Sequence, residues 1–560
     1  MPGTIQAAEG VVDCLVEQGV DTVFTLASEE IIPLLSEIED NRGEEIDLVE
    51  CRHEQGAAAM ADGYARARDD VGVCIVGRGP AIAQTGTSLV TASRRGSKVL
   101  YLVPESRLTA AHDGKGFQQE GFLRRLVGDV ETIRSPERLL PGLADVFRRL
   151  HNGDGPIAVQ VPIDVLESDV PAREPRRRAE DWGKDARMKP DGEAVARAIE
   201  VYRNDGGATA PVLLAGRGAV RANAKEAIEQ LAERMNAYLA TSLPAIGYFG
   251  DHPYSLGPAG GLGTTVANER LRESDLVVGF GASLNHHTLD SGTLVDEDTS
   301  VVHVDADPTH IGRFTDVDVG IVGDAKTTAQ ALHAELERRG IDRRGAFWTD
   351  EARSDIEAST PVTEGEFEPR PGRVDPRELV TALDAALPGE RLVVTDVGQY
   401  IGWVFDGLTF GPDDRLIWTV DFLALGQGLP AGIGAALAEQ ERTCVVFCGD
   451  GGLMMILQEL ETAARNDVPM ILVVMDDEAL GAEYHMGRMR GHSGEVGKVS
   501  SPDFTRVASA LGARSHTVRS ASDVEALEPT LTDDLTGPLV LDCKVNPNAV
   551  HRAIGEMDID

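Results

Sequence analysis

The segment CVVFCGDGGLMMILQELETAARNDVPMILVVMDDEALG, from Cys444 to Gly481, holds the residues best placed to do chemistry. An apolar strand ends in Gly449-Asp450-Gly451-Gly452, a helix follows, and a second apolar strand ends in Asp476-Asp477. Ligands of open parallel sheets sit beyond the carboxyl ends of the strands, so Asp450 and Asp477 are expected to face one crevice. Two carboxylates suit a hard cation such as Mg²⁺, whose octahedral shell is commonly completed by phosphate oxygens. The glycines let a diphosphate approach the backbone where a helix starts and its N–H groups point outward. Taken alone, each piece also reads as a tight turn or a solvated strand end. On successive strands they favour a site.

A second stretch, DLVECRHEQGAAAMADGYARAR from Asp47 to Arg68, carries Glu54 from a short strand to the start of a helix. The other helical positions, among them Ala57, Ala58, Met60, Ala61 and Tyr64, are small or apolar. An isolated acid there is a first-turn residue on a helix dipole, worth ~0.3–1 kcal/mol. His53-Glu54 is not a zinc motif, because no second His follows at helical spacing.

Short apolar runs alternate with amphipathic helical stretches from end to end, the pattern of α/β units on mostly parallel sheets. Strand candidates are Asp21–Leu26, Val71–Gly77, Lys98–Val103 and Pro156–Val161, then Pro211–Gly216, Asp275–Gly281 and Val301–Asp307, then Arg391–Asp396, Thr443–Asp450, Pro469–Asp477 and Pro538–Val545. Charged, Pro-containing stretches without periodicity separate the groups. The expected organisation is three doubly wound α/β domains, 1–168, 191–342 and 377–552, with linkers at 169–190 and 343–376. The first and third are candidates for a shared architecture without sequence similarity.

The 560 residues include 53 Lys plus Arg against 92 Asp plus Glu, a formal net charge of −39. So anionic a surface repels nucleic acid and acidic lipid, which removes both as partners. With 42% apolar residues the composition is globular. Scarce Lys beside abundant carboxylate resembles proteins of a salt-loaded cytoplasm, where a Debye length of roughly 3 Å near 1 M tames self-repulsion. Six Cys make no disulfide framework, and Cys444 and Cys448 read as core residues. The amino terminus has no basic segment before an apolar one and no run reaches membrane-spanning length, so a cytoplasmic protein is expected.

With those residues in view, the chain resembles the thiamine diphosphate enzymes, and among them the acetolactate synthase large-subunit branch. The Cys444–Gly481 segment is similar to that family's GDG…NN motif, with Asp476-Asp477 where Asn-Asn is usual. The resemblance implies Mg²⁺ held by the side chains of Asp450 and Asp477 and the carbonyl of Ala479, with Gly449, Gly451, Gly452 and Leu480 beside the cofactor. The extra carboxylate adds negative charge next to a diphosphate, and its effect on metal affinity is left open. RHEQGAAAMADGYAR resembles the segment of the activating glutamate, which implies that Glu54 hydrogen-bonds the cofactor's pyrimidine and favours its imino tautomer; burial is expected to keep that carboxyl protonated. GFQQ places Gln118 near the reactive carbon, TDVGQYIGW places Gln399 at the diphosphate with Tyr400 in place of His, and LALGQGLPAGIGAA puts Leu425 where a bulky residue props the cofactor. Gly79 is implied as a further cofactor contact, in a Gly77-Arg78-Gly79-Pro80 stretch that departs from the family's Ser-Gly-Pro-Gly.

Where the branch has a Gly-Ala-Arg-Phe segment holding FAD, this chain has GASLNHHTLD, Gly281 to Asp290, which leaves FAD undecided. Benzoylformate decarboxylase-like relatives place a catalytic His in a comparable stretch, so His286 or His287 is a candidate acid or base; a surface pair is the equal alternative. HPYSLGPAGGLGTTVAN, His252 to Asn268, is shared with the acetolactate synthase branch. The expected activity is decarboxylation of a pyruvate-like 2-oxo acid with transfer of the two-carbon unit to a second 2-oxo acid. A non-oxidative decarboxylase and a non-catalytic cofactor-binding homologue are the alternatives. The family's sites lie between chains, which implies a homodimer or homotetramer and admits a small regulatory subunit.

Overall fold

A computed structural model of the chain describes residues 3–110, 112–153, 155–172, 187–203, 210–342, 348–358, 366–493, 495–532 and 535–556. Much of the two expected linkers, at 173–186, 343–347 and 359–365, lies outside the described residues. Three six-stranded sheets are present, all parallel within each sheet. One antiparallel pair, Thr4–Gln6 with Asp169–Pro171, closes the first unit.

The first sheet runs in the spatial order Asp47–Glu50, Thr22–Leu26, Gly72–Val76, Val99–Glu105, Ile157–Pro162, Asp129–Thr132. The third runs Arg415–Trp418, Arg391–Thr395, Thr443–Gly449, Met470–Asp476, Leu539–Lys544, Arg514–Val518. Ranked by chain position, the two orders are identical, so the first and third units do share one architecture. The middle sheet, Ser255–Pro258, Tyr238–Thr241, Pro211–Ala215, Leu276–Phe280, Ser300–Asp305, Val319–Val322, is wound outward in both directions from its first strand, the doubly wound dinucleotide-fold order.

Helix Glu54–Arg68 forms because its run of Ala and long side chains favours helix and its ends are capped. His53 caps it by accepting the Gln55 N–H at Nδ1 (3.1 Å). Glu54 lies in the first turn, Arg66 and Arg68 in the last, and Asp69 closes it in the left-handed conformation. It crosses helix Gly428–Ala438, whose sequence GLPAGIGAALA is apolar on nearly every side and which is almost entirely buried. A methyl added at Gly63 would stand 2.0 Å from the Ala431 carbonyl oxygen, and one at Gly434 1.9 Å from that of Met60. Each glycine is therefore required by the closeness of the two backbones. One hydrophobic cluster runs through this crossing, from Phe24, Cys74 and Tyr101 in the first unit to Val394, Val446 and Leu472 in the third. No described helix is long and apolar enough to cross a membrane.

Candidate active site

The third sheet delivers its chemistry at the carboxyl ends of three adjacent strands. Asp396 follows Arg391–Thr395, Asp450 follows Thr443–Gly449, and Asp477 follows Met470–Asp476. Asp450 is 1% exposed, and the Ser501 hydroxyl donates to its Oδ2. Asp477 is half-buried; its Oδ2 accepts from Gln399 Nε2 at 3.0 Å and its Oδ1 from the Ala479 N–H at 3.0 Å. Neither carboxylate has an ion-pair partner among the described residues. Burial, then the nearby charge of Asp477, pushes Asp450 up to about 7. Burial pushes Asp477 up to about 6, against the hydrogen bonds from Gln399 and Ala479. Two such carboxylates without a cationic side chain are a donor set that fits a hard divalent cation.

Glycine clears the space around them. A methyl on Gly481 would lie 2.6 Å from Gln399 Nε2 and 2.7 Å from Asp477 Oδ2, and one on Gly451 would lie 2.6 Å from Leu480. Gln399 Oε1 is buried without a hydrogen-bond partner, so this amide is not fully satisfied by the protein. Tyr400 is the neighbour of Gln399 that the resemblance also set at the diphosphate. It is buried, its hydroxyl donates to the Phe447 carbonyl (3.1 Å), and its ring lies beside Gly398 and Gly449.

Two residues that the sequence reading passed over organise this edge. Asp396 is 1% exposed and accepts the N–H groups of Val397 (2.8 Å), Gly426 (2.8 Å) and Gln427 (3.3 Å), fixing the segment that presents half-buried Leu425. Burial raises it to about 6 against those bonds. Glu459, fully buried, accepts the Arg52 N–H at 3.2 Å through both oxygens and the Thr462 hydroxyl at 2.8 Å. It thereby ties the loop before Glu54 to the third unit, and Arg52 adds an ion pair with Glu461 at 2.6 Å. Ser88 makes a second tie, its hydroxyl within hydrogen-bond distance of both the Gln55 carbonyl (2.9 Å) and Gln427 Oε1 (2.8 Å). Asp396 was findable, since it stands directly after an apolar strand, as Asp450 and Asp477 do.

The first sheet presents its candidates at the same edge with far fewer partners. Glu54 is half-buried at the helix start, and Gln118 is exposed. The neighbouring Gln119 is buried, donating to the Pro104 carbonyl and to Gln160 Oε1, both at 2.9 Å. Gly79 has a φ of 65°, and a methyl there would stand 2.5 Å from the Lys115 carbonyl, so the loop leading to Gln118 rests on it. No hydrogen bond or ion pair among the described residues joins Glu54 or Gln118 to Asp450 or Asp477. His286 and His287 are exposed on a loop of the middle unit, their rings 4.0 Å apart, and they too have no link to these carboxylates among the described residues.

Three family models match the chain in order: thiamine pyrophosphate enzyme, N-terminal TPP binding domain, over residues 5–124; central domain, over 206–332; and C-terminal TPP binding domain, over 396–543. The chain belongs to the thiamine pyrophosphate enzymes, with thiamine diphosphate as the cofactor its outer units bind. Among its relatives is a protein of Bacillus subtilis (strain 168) described as the thiamine pyrophosphate-containing protein YdaP, 26% identical over 96% of this chain and 91% of its own. Acetolactate synthase isozyme 3 large subunit of Escherichia coli (strain K12) is 28% identical over 95% of this chain and 92% of its own. Sulfoacetaldehyde acetyltransferase of Alcaligenes xylosoxydans xylosoxydans is 29% identical over 92% and 89%.

Proposed function

We propose that the protein is a Mg²⁺-dependent carboligase that decarboxylates a pyruvate-like 2-oxo acid and transfers the two-carbon unit to a second 2-oxo acid. The observation that carries the metal-diphosphate half is the pair Asp450 and Asp477, gathered without a cationic partner at the ends of adjacent strands. Bound thiamine diphosphate supplies the electron sink that no side chain offers for cleaving a carboxylate from a ketone carbon. The side chains of Asp450 and Asp477, with the carbonyl of Ala479, hold Mg²⁺. Gln399 and the glycines 449, 451 and 452 leave backbone and amide groups open to the diphosphate. Leu425 props the cofactor from the segment that Asp396 fixes, Glu54 holds a proton at the pyrimidine, and Gln118 orients the substrate.

Glu54 and Asp450 meet across two copies of the chain in this reading, which makes a homodimer the smallest active unit. Exposed Leu423, Met454 and Met455, the last two in the helix that begins at Asp450, support a surface covered by a second copy. Several relatives are named as acetolactate synthases, which favours a 2-oxo acid as acceptor. The sulfoacetaldehyde acetyltransferase relative supports a second reading, transfer of an acetyl unit to a different acceptor. A decarboxylase that uses His286 or His287 finds no support in their exposed placement. The −39 charge supports a protein adapted to concentrated salt. The deciding assay supplies thiamine diphosphate, Mg²⁺ and a panel of 2-oxo acids in about 2 M KCl, where surface repulsion is screened. A 2-hydroxy-2-alkyl-3-oxo acid product supports the first reading; free aldehyde or no product overturns it.

A further inference from the structure

Asp476, which sequence alone reads as added negative charge beside the diphosphate, has surroundings that change its meaning. It is fully buried at the end of strand Met470–Asp476, and successive side chains of a strand point to opposite faces, so it turns away from Asp477. Lys544 stands in register with it on the neighbouring parallel strand. The Lys544 ammonium contacts the Asp476 carboxylate and lies 2.8 Å from Asp542 Oδ2. Arg373, on the segment entering the third unit, donates from Nη1 to the Asp476 carbonyl (2.7 Å) and holds Glu478 Oε1 at 2.6 Å through Nη2. Arg370 stands 3.8 Å from the other oxygen of Glu478.

These contacts converge on one turn. The Asp476 carboxylate accepts the Glu478 N–H at 3.2 Å, and Glu478 adopts a φ of 58°, a left-handed conformation that side-chain-bearing residues rarely take. The Ala479 N–H then closes on Asp477 Oδ1, and the Leu480 N–H on the Gly497 carbonyl at 2.7 Å. An Asn at 476 is able to accept the Glu478 N–H without a counter-ion. An Asp accepts it more strongly but, in a fully buried position, requires a cation beside it.

We propose that Asp476, Lys544 and Arg373 form a charge-compensated clamp that holds the Asp477–Ala479 turn in its ligating shape, with Asp476 a positioning residue and not a metal ligand. The proposal rests on the reading of Asp450, Asp477 and Ala479 as the metal-diphosphate site. It makes Asp476 and Lys544 a single unit: losing the lysine strands a buried charge beside the site, and neutralising Asp476 relieves it.

Because Lys544 also neutralises Asp542, the test is made in an Asp542→Asn background. Thiamine diphosphate affinity in saturating Mg²⁺ is measured by calorimetry, and melting temperature is measured in metal-free protein. Adding Lys544→Met is expected to weaken cofactor binding about 10-fold, as losing a group that orients a metal ligand commonly does. Further addition of Asp476→Asn is expected to restore both affinity and melting temperature. If the Lys544→Met protein folds only when Asp476→Asn is present, the coupling is upheld. Lys544→Met without effect on either measurement, or no recovery with Asp476→Asn, overturns it. Failure of the unmutated protein to bind thiamine diphosphate and Mg²⁺ would instead overturn the reading of the site itself.

Discussion

The two outer units have the same strand order, yet their working edges are built in opposite ways. In the third unit, Asp396, Asp450 and Asp477 are locked to Gly426, Ser501 and Gln399, and glycines pack directly against them. In the first unit, Glu54 is half-buried and Gln118 exposed, while the bonds nearby go to their neighbours, Arg52, Gln55 and Gln119. The same frame thus carries one finished edge and one open edge. A rigid edge suits a fixed ion and diphosphate, whose geometry must be set in advance. An open edge suits groups that act on a face supplied by something else, and in the proposed homodimer that face is the other copy's finished edge.

The largest effects should separate the edges by what is lost. Glu54→Gln is expected to lower kcat by at least about 10³-fold with cofactor binding and melting temperature retained, as suits a group that manages a proton. Asp450→Ala should abolish calorimetric binding of thiamine diphosphate with Mg²⁺, and near about pH 8, where this buried carboxylate is ionised without a counter-ion, it should raise the melting temperature of the metal-free protein. Binding lost with Glu54→Gln, or kept with Asp450→Ala, would erase the contrast. Refolding the two variants together should recover about 25% of wild-type activity, because half of randomly paired dimers carry one intact site of two. Recovery near zero would place both edges of a site in one chain.

A smaller effect tests the frame shared by both edges. Gly63→Ala should cost about 1–3 kcal/mol in unfolding by denaturant, since its methyl must push the Ala431 backbone away. The smallest is a pH dependence carried by two carboxylates of the third unit. Asp450 and Asp477 are raised to about 7 and about 6, above their usual value near 4. Their ionisation therefore costs the metal-free protein stability: there is no cost below the unfolded value, and the cost is complete once pH has risen through those folded values. Mg²⁺ competes with the same protons, so its stabilisation, with thiamine diphosphate present, should be greater near about pH 8 than near about pH 5.5. A shift in melting temperature that does not change with pH would remove these carboxylates as ligands.

The central strands of each sheet were legible because burial on both faces writes a continuous apolar run, as in VLYLV or MILVVM. Peripheral strands were not. Arg514–Val518 and Asp129–Thr132 are partly exposed and polar, so hydrogen bonding to one neighbour forms them without leaving an apolar pattern, and Arg415–Trp418 leaves only a three-residue apolar run. The short strands Tyr238–Thr241 and Ser255–Pro258 also lacked a readable run. At the site, Asp450 and Asp477 could be read from strand ends followed by glycine or a turn. Glu459 could not, since its work is to bind the backbone of Arg52, far away in the chain and adjacent only in the fold. Asp476 was visible as a charged residue but its counter-ion was not, because the cation in register with it lies on a strand much later in the sequence.

The helix crossing at Gly63 and Gly434 has a mechanical consequence. Where two backbones touch with no side chains between them, there is no soft layer to shear, so the crossing resists sliding of one outer unit on the other. In the proposed homodimer, a displacement of the Glu54 loop in one copy would then be felt at that copy's own Asp450 edge, which belongs to the other site. Two reaction centres so joined would feel each other's occupancy through the crossing, without any signal crossing the solvent.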